Sequence, residues 1–281
     1  MIKTLKREKH HRQMGFTLIE LMISGLLGSL LLAMTMEWLL IATQSARIQD
    51  GLAEINENAS FVMRFLRHEI EMAGATTDLF TVGLAPVAWA YSEDQGGRFD
   101  TLTIQRQYAA GEHDCLGDRV PADRAGKTML SRLYVDNMPG QNAYKELRCE
   151  LLMASEGSSA FFSIKSRALI GGVDAFQVQY GVMPRQSASV QQQLNSSVIT
   201  YLLADQVDPL HHKVISIKVA LLLHNSNGTP LIHSTAGVQT ITVLEYQFDD
   251  EQTALNLHDG HLRKQYQSTI VLKNAMSLSE E

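Results

Sequence analysis

Residues 14–40, MGFTLIELMISGLLGSLLLAMTMEWLL, are apolar apart from two carboxylates, Glu20 and Glu37. From Phe16 to Ile41 the chain is long enough, at about 1.5 Å per residue, to cross roughly 30 Å of hydrocarbon as a helix. Glu37 stands where such a span leaves the membrane. Glu20 lies just inside its start, and an unpaired charge at mid-bilayer costs roughly 2.5–3.5 kcal/mol on insertion scales. That glutamate therefore needs either a cationic partner or a path for its side chain back to the interface.

The flanks orient the span. Lys3, Lys6, Arg7, Lys9 and Arg12 precede it against the single acid Glu8, which predicts a cytoplasmic amino end. Beyond the span, TQSARIQDGLAEINENASFVMRFL lacks the small-residue site that follows a cleaved secretory signal, so the apolar stretch stays in the mature chain. The helix is expected to continue. Leu52, Ile55, Ala59, Val62, Leu66 and Ile70 recur at steps of three and four, with Glu54, Glu57, Arg64, Arg67 and Glu71 on other faces as solvated charge. Gly74 is a candidate C-terminal cap, so one helix of about 85 Å is predicted over 16–72. Gly51 weakens it by about 1 kcal/mol relative to alanine. Gly25, Ser29 and Ala33 form a small-xxx-small stripe, suited to close approach of a neighbouring helix in lipid or merely tolerated there.

After Gly74 the pattern turns β-rich. Segments 99–107, 129–135, 175–182, 213–223 and 241–248 alternate or are β-branched, and Gly-, Asp- and Pro-bearing loops are expected at 92–98, 111–127 and 136–143. Gln191–Gln193 reads as loop. The predicted fold class is α+β, a long amino-terminal helix with a transmembrane half and an amphipathic half, packed on an antiparallel sheet domain.

The basic leader, Gly15, and the run Phe16-Thr17-Leu18-Ile19-Glu20-Leu21 resemble the class III signal of type IV prepilins and type II secretion pseudopilins. The resemblance extends to ENASFVMRFLRHEIEMAG (57–74), GGVDAFQVQYGV (171–182), VISIKVALLLHNS (214–226) and DGHLRKQYQSTIVLKN (259–274), which are similar to minor pilins of the PilW type. It implies cleavage between Gly15 and Phe16 by a prepilin peptidase that also N-methylates Phe16. It further implies that Glu20 pairs with the terminal amine of a neighbouring subunit during docking. The implied division is a leader at 1–15, a membrane half at 16–41, an amphipathic half at 42–74 and a periplasmic or extracellular domain at 75–281.

The implied function is that of a minor pilin that primes type IV pilus assembly at or near the tip. The implied location is the bacterial inner membrane, single-pass, and then the pilus. Implied partners are other minor pilins, the major pilin, the peptidase, the inner-membrane assembly platform and a large tip adhesin. A J-type pseudopilin at the tip of a secretion pseudopilus is one alternative; a membrane-anchored adhesin or ligand-binding module, from another class, is a second.

Composition is consistent with an exported domain. Loss of the leader takes five basic residues and one acid, and moves the formal charge from -6 to -10. An acidic chain argues against general nucleic-acid binding. In an oxidising compartment Cys115 and Cys149 read as one disulfide, two free buried thiols being the alternative. Enzyme motifs are missing from the sequence. His10-His11, His211-His212 and the pair His258 and His261 sit in no HExxH frame, and neither a G-x-S-x-G elbow nor a phosphate-binding glycine loop occurs. No cofactor, metal or catalytic residue is expected, and a membrane-anchored hydrolase is only a remainder.

Overall fold

The structure is a computed structural model that describes residues 15–77, 84–89, 92–93, 97–154, 160–184, 199–226, 240–248 and 259–274. The leader before Gly15, Gln191–Gln193 and His258 lie outside the described residues. The chain divides into two units, Met1–Gln49 and Asp50–Glu281. Described residues of the first unit are helical from Leu18 onward, and the helix α1, Leu18–Glu71, carries on into the second.

In the second unit α1 buries Gly51, Ile55, Ala59, Val62, Leu66, Glu69 and Ile70, one stripe at the helical period. Each fully buried Ile, Leu or Val on it contributes about 1.5–3 kcal/mol. Two expectations need correcting. Leu52, expected inside, is exposed, and Gly51 takes the inward position. A Cβ at Gly51 would stand 3.0 Å from Asn225 Nδ2 and 3.2 Å from Leu262 Cδ1, so the glycine admits a close approach. The charges expected to be free are partly engaged. Glu54 accepts from the Ser226 amide at 3.1 Å, and Glu71 pairs with Lys273 at 2.6 Å. The helix ends at Glu71, and Gly74, expected to cap it, follows with a φ of 79° that only glycine adopts readily. The Gly74 amide donates to Gln105 O at 2.7 Å, tying the helix end to the sheet.

The first sheet contains β1 (Leu102–Gln107), β2 (Thr128–Met138), β3 (Gln141–Ala154) and β4 (Phe161–Gly171), antiparallel in that order. The second contains β5 (Val173–Pro184), β6 (Thr200–Leu202), β7 (His212–His224) and β10 (Arg263–Val271), in the order β10-β7-β5-β6. Between β7 and β10 lies the hairpin β8 (Ile241–Val243) and β9 (Tyr246–Phe248). The expected strands at 129–135, 175–182 and 213–223 are the centres of β2, β5 and β7. The strand expected at 99–107 starts at Leu102. The one expected over 241–248 is instead this hairpin, and the loop expected at 136–143 shrinks to a turn at Pro139-Gly140.

β5 is buried along its whole length from Val173 to Val182 because both its faces are covered. Phe176, Val178 and Tyr180 join the main core with Ile55, Val62 and Leu66 of the helix. Ala175 lies on the other face, where Ala220 and Leu222 meet Val243 and Phe248 of the hairpin. Asp100 stitches the segment before β1 to β5, its carboxylate accepting from the Val178 amide at 2.7 Å.

Candidate functional site

The amino-terminal part of α1 carries the residues expected to matter for processing and docking. Thr17 caps the helix: its hydroxyl accepts from the Glu20 amide at 3.4 Å, and its carbonyl accepts from the Leu21 amide at 3.2 Å. Thr17-Leu18-Ile19-Glu20 has the form of a capping box, of which the structure shows the threonine half, and a carboxylate in the first turn also complements the helix dipole. The T-x-x-E spacing, not weighed in the sequence analysis, signals this helix start. This place of Glu20 is compatible with pairing to an amine, because the side chain is exposed.

Along the apolar half Phe16, Leu18, Leu32 and Trp38 are each at least 71% exposed. Its hydroxyls are satisfied within the helix. Ser24 donates to Glu20 O at 2.7 Å, and Ser29, Thr35 and Thr43 each donate to the carbonyl three residues back at 2.9 Å. The surface is therefore fit for lipid or for another helix. Gly25, Ser29 and Ala33 are exposed along it, and a Cβ at Gly25 would meet nothing within 4 Å. Among the described residues α1 is the one helix long and apolar enough to cross a membrane, by length and composition.

The second half of α1 sits on the sheets through polar contacts at both ends. Asn56 Oδ1 accepts from Lys264 Nζ at 2.9 Å and from the Tyr266 hydroxyl at 2.7 Å, both on β10. Asn274 donates to the carbonyls of Glu71 and Ala73. Deepest is Glu69, whose Oε1 lies 3.4 Å from Arg106 Nη2 on β1, with both side chains at most 3% exposed. Burial pushes the Glu69 carboxyl above its ordinary value, against the pull of Arg106, His68 and Ser131. The Arg106 guanidinium also reaches Glu112 at 3.1 Å and lies over the Tyr108 ring at 3.9 Å. Burial raises the Tyr108 hydroxyl too, and it shares a hydrogen bond with Ser131 at 3.0 Å.

At the Gly51 end a second buried cluster closes the joint between β5, β7 and β10. Asp174 accepts from Arg263 Nε at 2.7 Å and faces His224 Nδ1 at 3.2 Å, while Asp259 holds the other side of the same guanidinium at 2.6 Å. His224 packs edge-on to Tyr144 and His261. His261 is committed to Asn225 O at 2.8 Å, a structural use of the histidine considered above for metal. Among the described residues no group of three or more His, Cys, Asp or Glu is placed to hold a metal ion.

Cys115 and Cys149 are joined as a disulfide, which binds the loop between β1 and β2 to β3. The Arg167 guanidinium donates to Leu116 O on the same loop. Under that loop is a cleft of about 130 Å³ with Leu116, Val120, Met129, Leu151 and Ile164 in its lining and charged groups among the rest.

Comparison with known proteins decides the family. The model of the type IV pilus-assembly protein W family matches residues 133–274, just over half of the chain, from β2 through β10. The chain belongs to the PilW family. Among solved structures it is similar to a type IV-like pilin from Thermus thermophilus, at 18% identity and a TM-score of 0.43, over 78% of this chain and 97% of that one. No curated protein sequence matches. Membership makes the chain a pilus-assembly protein, and its apolar amino-terminal helix fits membrane anchoring. The match takes in β3, β4 and β10, none of them expected as strands from the sequence, although the run 259–274 that holds β10 already resembled PilW.

Proposed function

We propose that this PilW-family chain is a minor pilin that primes type IV pilus assembly and sits at or near the tip. Its action is physical: α1 inserts beside the helices of other minor pilins and forms a complex from which the assembly platform extends the filament. The observation that carries this reading is a PilW domain joined to a helix whose first half is apolar and exposed, with one carboxylate, Glu20, in its first turn.

On this reading the peptidase cuts between Gly15 and Phe16 and methylates Phe16. The new amine then lies one helical turn from Glu20 of its own chain, and Glu20 of one subunit meets the amine of the next. Gly25, Ser29 and Ala33 supply the close-packing face. The mature helix anchors the domain to the inner membrane until the subunit enters the pilus.

Mass spectrometry of the protein from a host with a prepilin peptidase is the test. A chain beginning at N-methylated Phe16 is expected. An intact leader, or a new terminus on the carboxyl side of the span, would overturn the pilin assignment.

A further inference from the structure

We propose that the Cys115–Cys149 disulfide acts on the helix: by holding Glu112 against Arg106 it completes the buried charge balance under the last turns of α1, so the helix–sheet joint is finished only after the two thiols are oxidised. The disulfide loop and the helix are neighbours on one face of the first sheet. Leu102, Leu133 and Cys149 are paired across β1, β2 and β3, and Arg106, Met129 and Met153 are paired two steps along, so Cys149 and Arg106 point to the same side. The helix reaches that side through Glu69 and the loop reaches it through Cys115.

Between Cys115 and Glu112 the loop is held by hydrogen bonds. The Val120 amide donates to Glu112 O at 2.8 Å and the Gly111 amide donates to Val120 O at 2.8 Å. Asp114 accepts from the amides of Leu116 and Asp118 at 2.9 and 3.0 Å. Gly126 closes the whole loop by donating to Tyr108 O at 3.0 Å. A constraint at Cys115 is thus transmitted to Glu112, whose second oxygen is held by the Ala109 amide at 3.0 Å.

Glu112 is the nearer of the two carboxylates on Arg106. Arg106 is 1% exposed, and its contact with Glu69 is long at 3.4 Å. Glu69 Oε2 and Arg106 Nε have no hydrogen-bond partner. Glu112, about one-third exposed, adds a second carboxylate to the Arg106 guanidinium at 3.1 Å, beside the larger pull of Glu69 and Tyr108. The polar tethers of the loop on β4 are the Arg167 guanidinium to Leu116 O and the pairs of Asp118 with Lys165 and Arg167, the latter close to half exposed and correspondingly weak. The covalent link is the strong one. On oxidation the two thiols lose two protons and two electrons to a disulfide-exchange oxidant, whose own disulfide leaves as a dithiol. That this oxidation follows export and precedes assembly rests on the pilin reading.

Amide hydrogen exchange on the full chain in detergent micelles tests the coupling. In the double variant Cys115→Ser/Cys149→Ser the amides of residues 62–73 should exchange roughly tenfold faster, as expected for loss of a charge-assisted bond. Amides 217–221 of β7 should keep their rates. Glu112→Gln, with the disulfide intact by mass, should loosen the same helical amides to a similar degree, and combining the changes should add little. Unchanged helix protection in Glu112→Gln overturns the proposal, even if the cysteine variant fails to fold. Additive effects, or loosening of β7 as large as that of the helix, overturn it too. Cleavage after Gly15 is scored separately, so failure of the pilin reading and failure of the coupling give different results.

Discussion

Asp174 shows how a single buried charge is made tolerable. Burial raises its carboxyl, but His224 and Arg263 outweigh burial and hold it below its ordinary value. A carboxylate with a depressed folded pKa adds stability that is present above its unfolded value and lost as pH falls through the folded one. The wild-type chain should therefore lose stability on acidification below about pH 4, the ordinary Asp range. Asp174→Asn should be less stable than wild type at pH 7 and should show a flatter acid limb in thermal unfolding followed between pH 2 and 5. An unchanged acid limb would mean that Asp174 is paired equally well in the unfolded chain. Glu69 works in the opposite sense, since its raised pKa lets stability fall as pH rises above about 4.5. These pairs were poorly legible in the sequence, because Glu69 and Arg106 are 37 residues apart and Asp174 and Arg263 are 89 apart. One clue was available. Glu69 falls three residues after Leu66, on the apolar phase of the helix, where a glutamate must be buried with a partner.

At the scale of elements, the turn between β4 and β5 is the most constrained joint. Gly172 has a φ of 72°, and a Cβ there would collide with the His224 carbonyl oxygen, which in turn belongs to β7. Gly172→Ala should cost about 3 kcal/mol, combining the left-handed conformation with a backbone clash. Urea unfolding of the chain in detergent would measure it, and a loss under 1 kcal/mol would show that the turn relaxes. Legibility differed among elements for physical reasons. The helix, β2, β5 and β7 bury a regular face, so period and β-branching betray them. In β3 the run YKELRCELLMA is rich in good helix formers, and register shifts between Leu147/Arg148 and Leu151/Leu152 blur its alternation. β10 is an edge strand with polar residues on both faces, its inward side meeting Asn56 and Arg67 of the helix. The β8–β9 turn was hidden because Leu244 takes a φ of 54° where Gly or Asn would have announced a hairpin.

For the whole molecule, the proposed processing and docking residues rest on a local pattern: a basic leader, a glycine, an aromatic and a glutamate at fixed spacing. What that glutamate does is a question about assembly, and two carboxylates in the same apolar helix separate the answers. If Glu20 meets the terminal amine of a neighbour, Glu20→Gln should leave cleavage and insertion intact, since an amide is cheaper than a carboxylate in hydrocarbon. Surface piliation and crosslinking to partner minor pilins should fall. Thr17 still caps the helix in that variant through its own hydroxyl, so the helix start should survive, with only a small loss of dipole stabilisation. Glu37→Gln removes the other carboxylate, which lies about 25 Å further along the helix at 1.5 Å per residue and beyond reach of an amine at Phe16. Neither site makes a side-chain ion pair among the described residues, so neither change disturbs the folded domain. Piliation lost in Glu20→Gln alone supports pairing. Equal piliation in the two variants rules pairing out and leaves Glu20 to the peptidase, the methylation step or the helix cap.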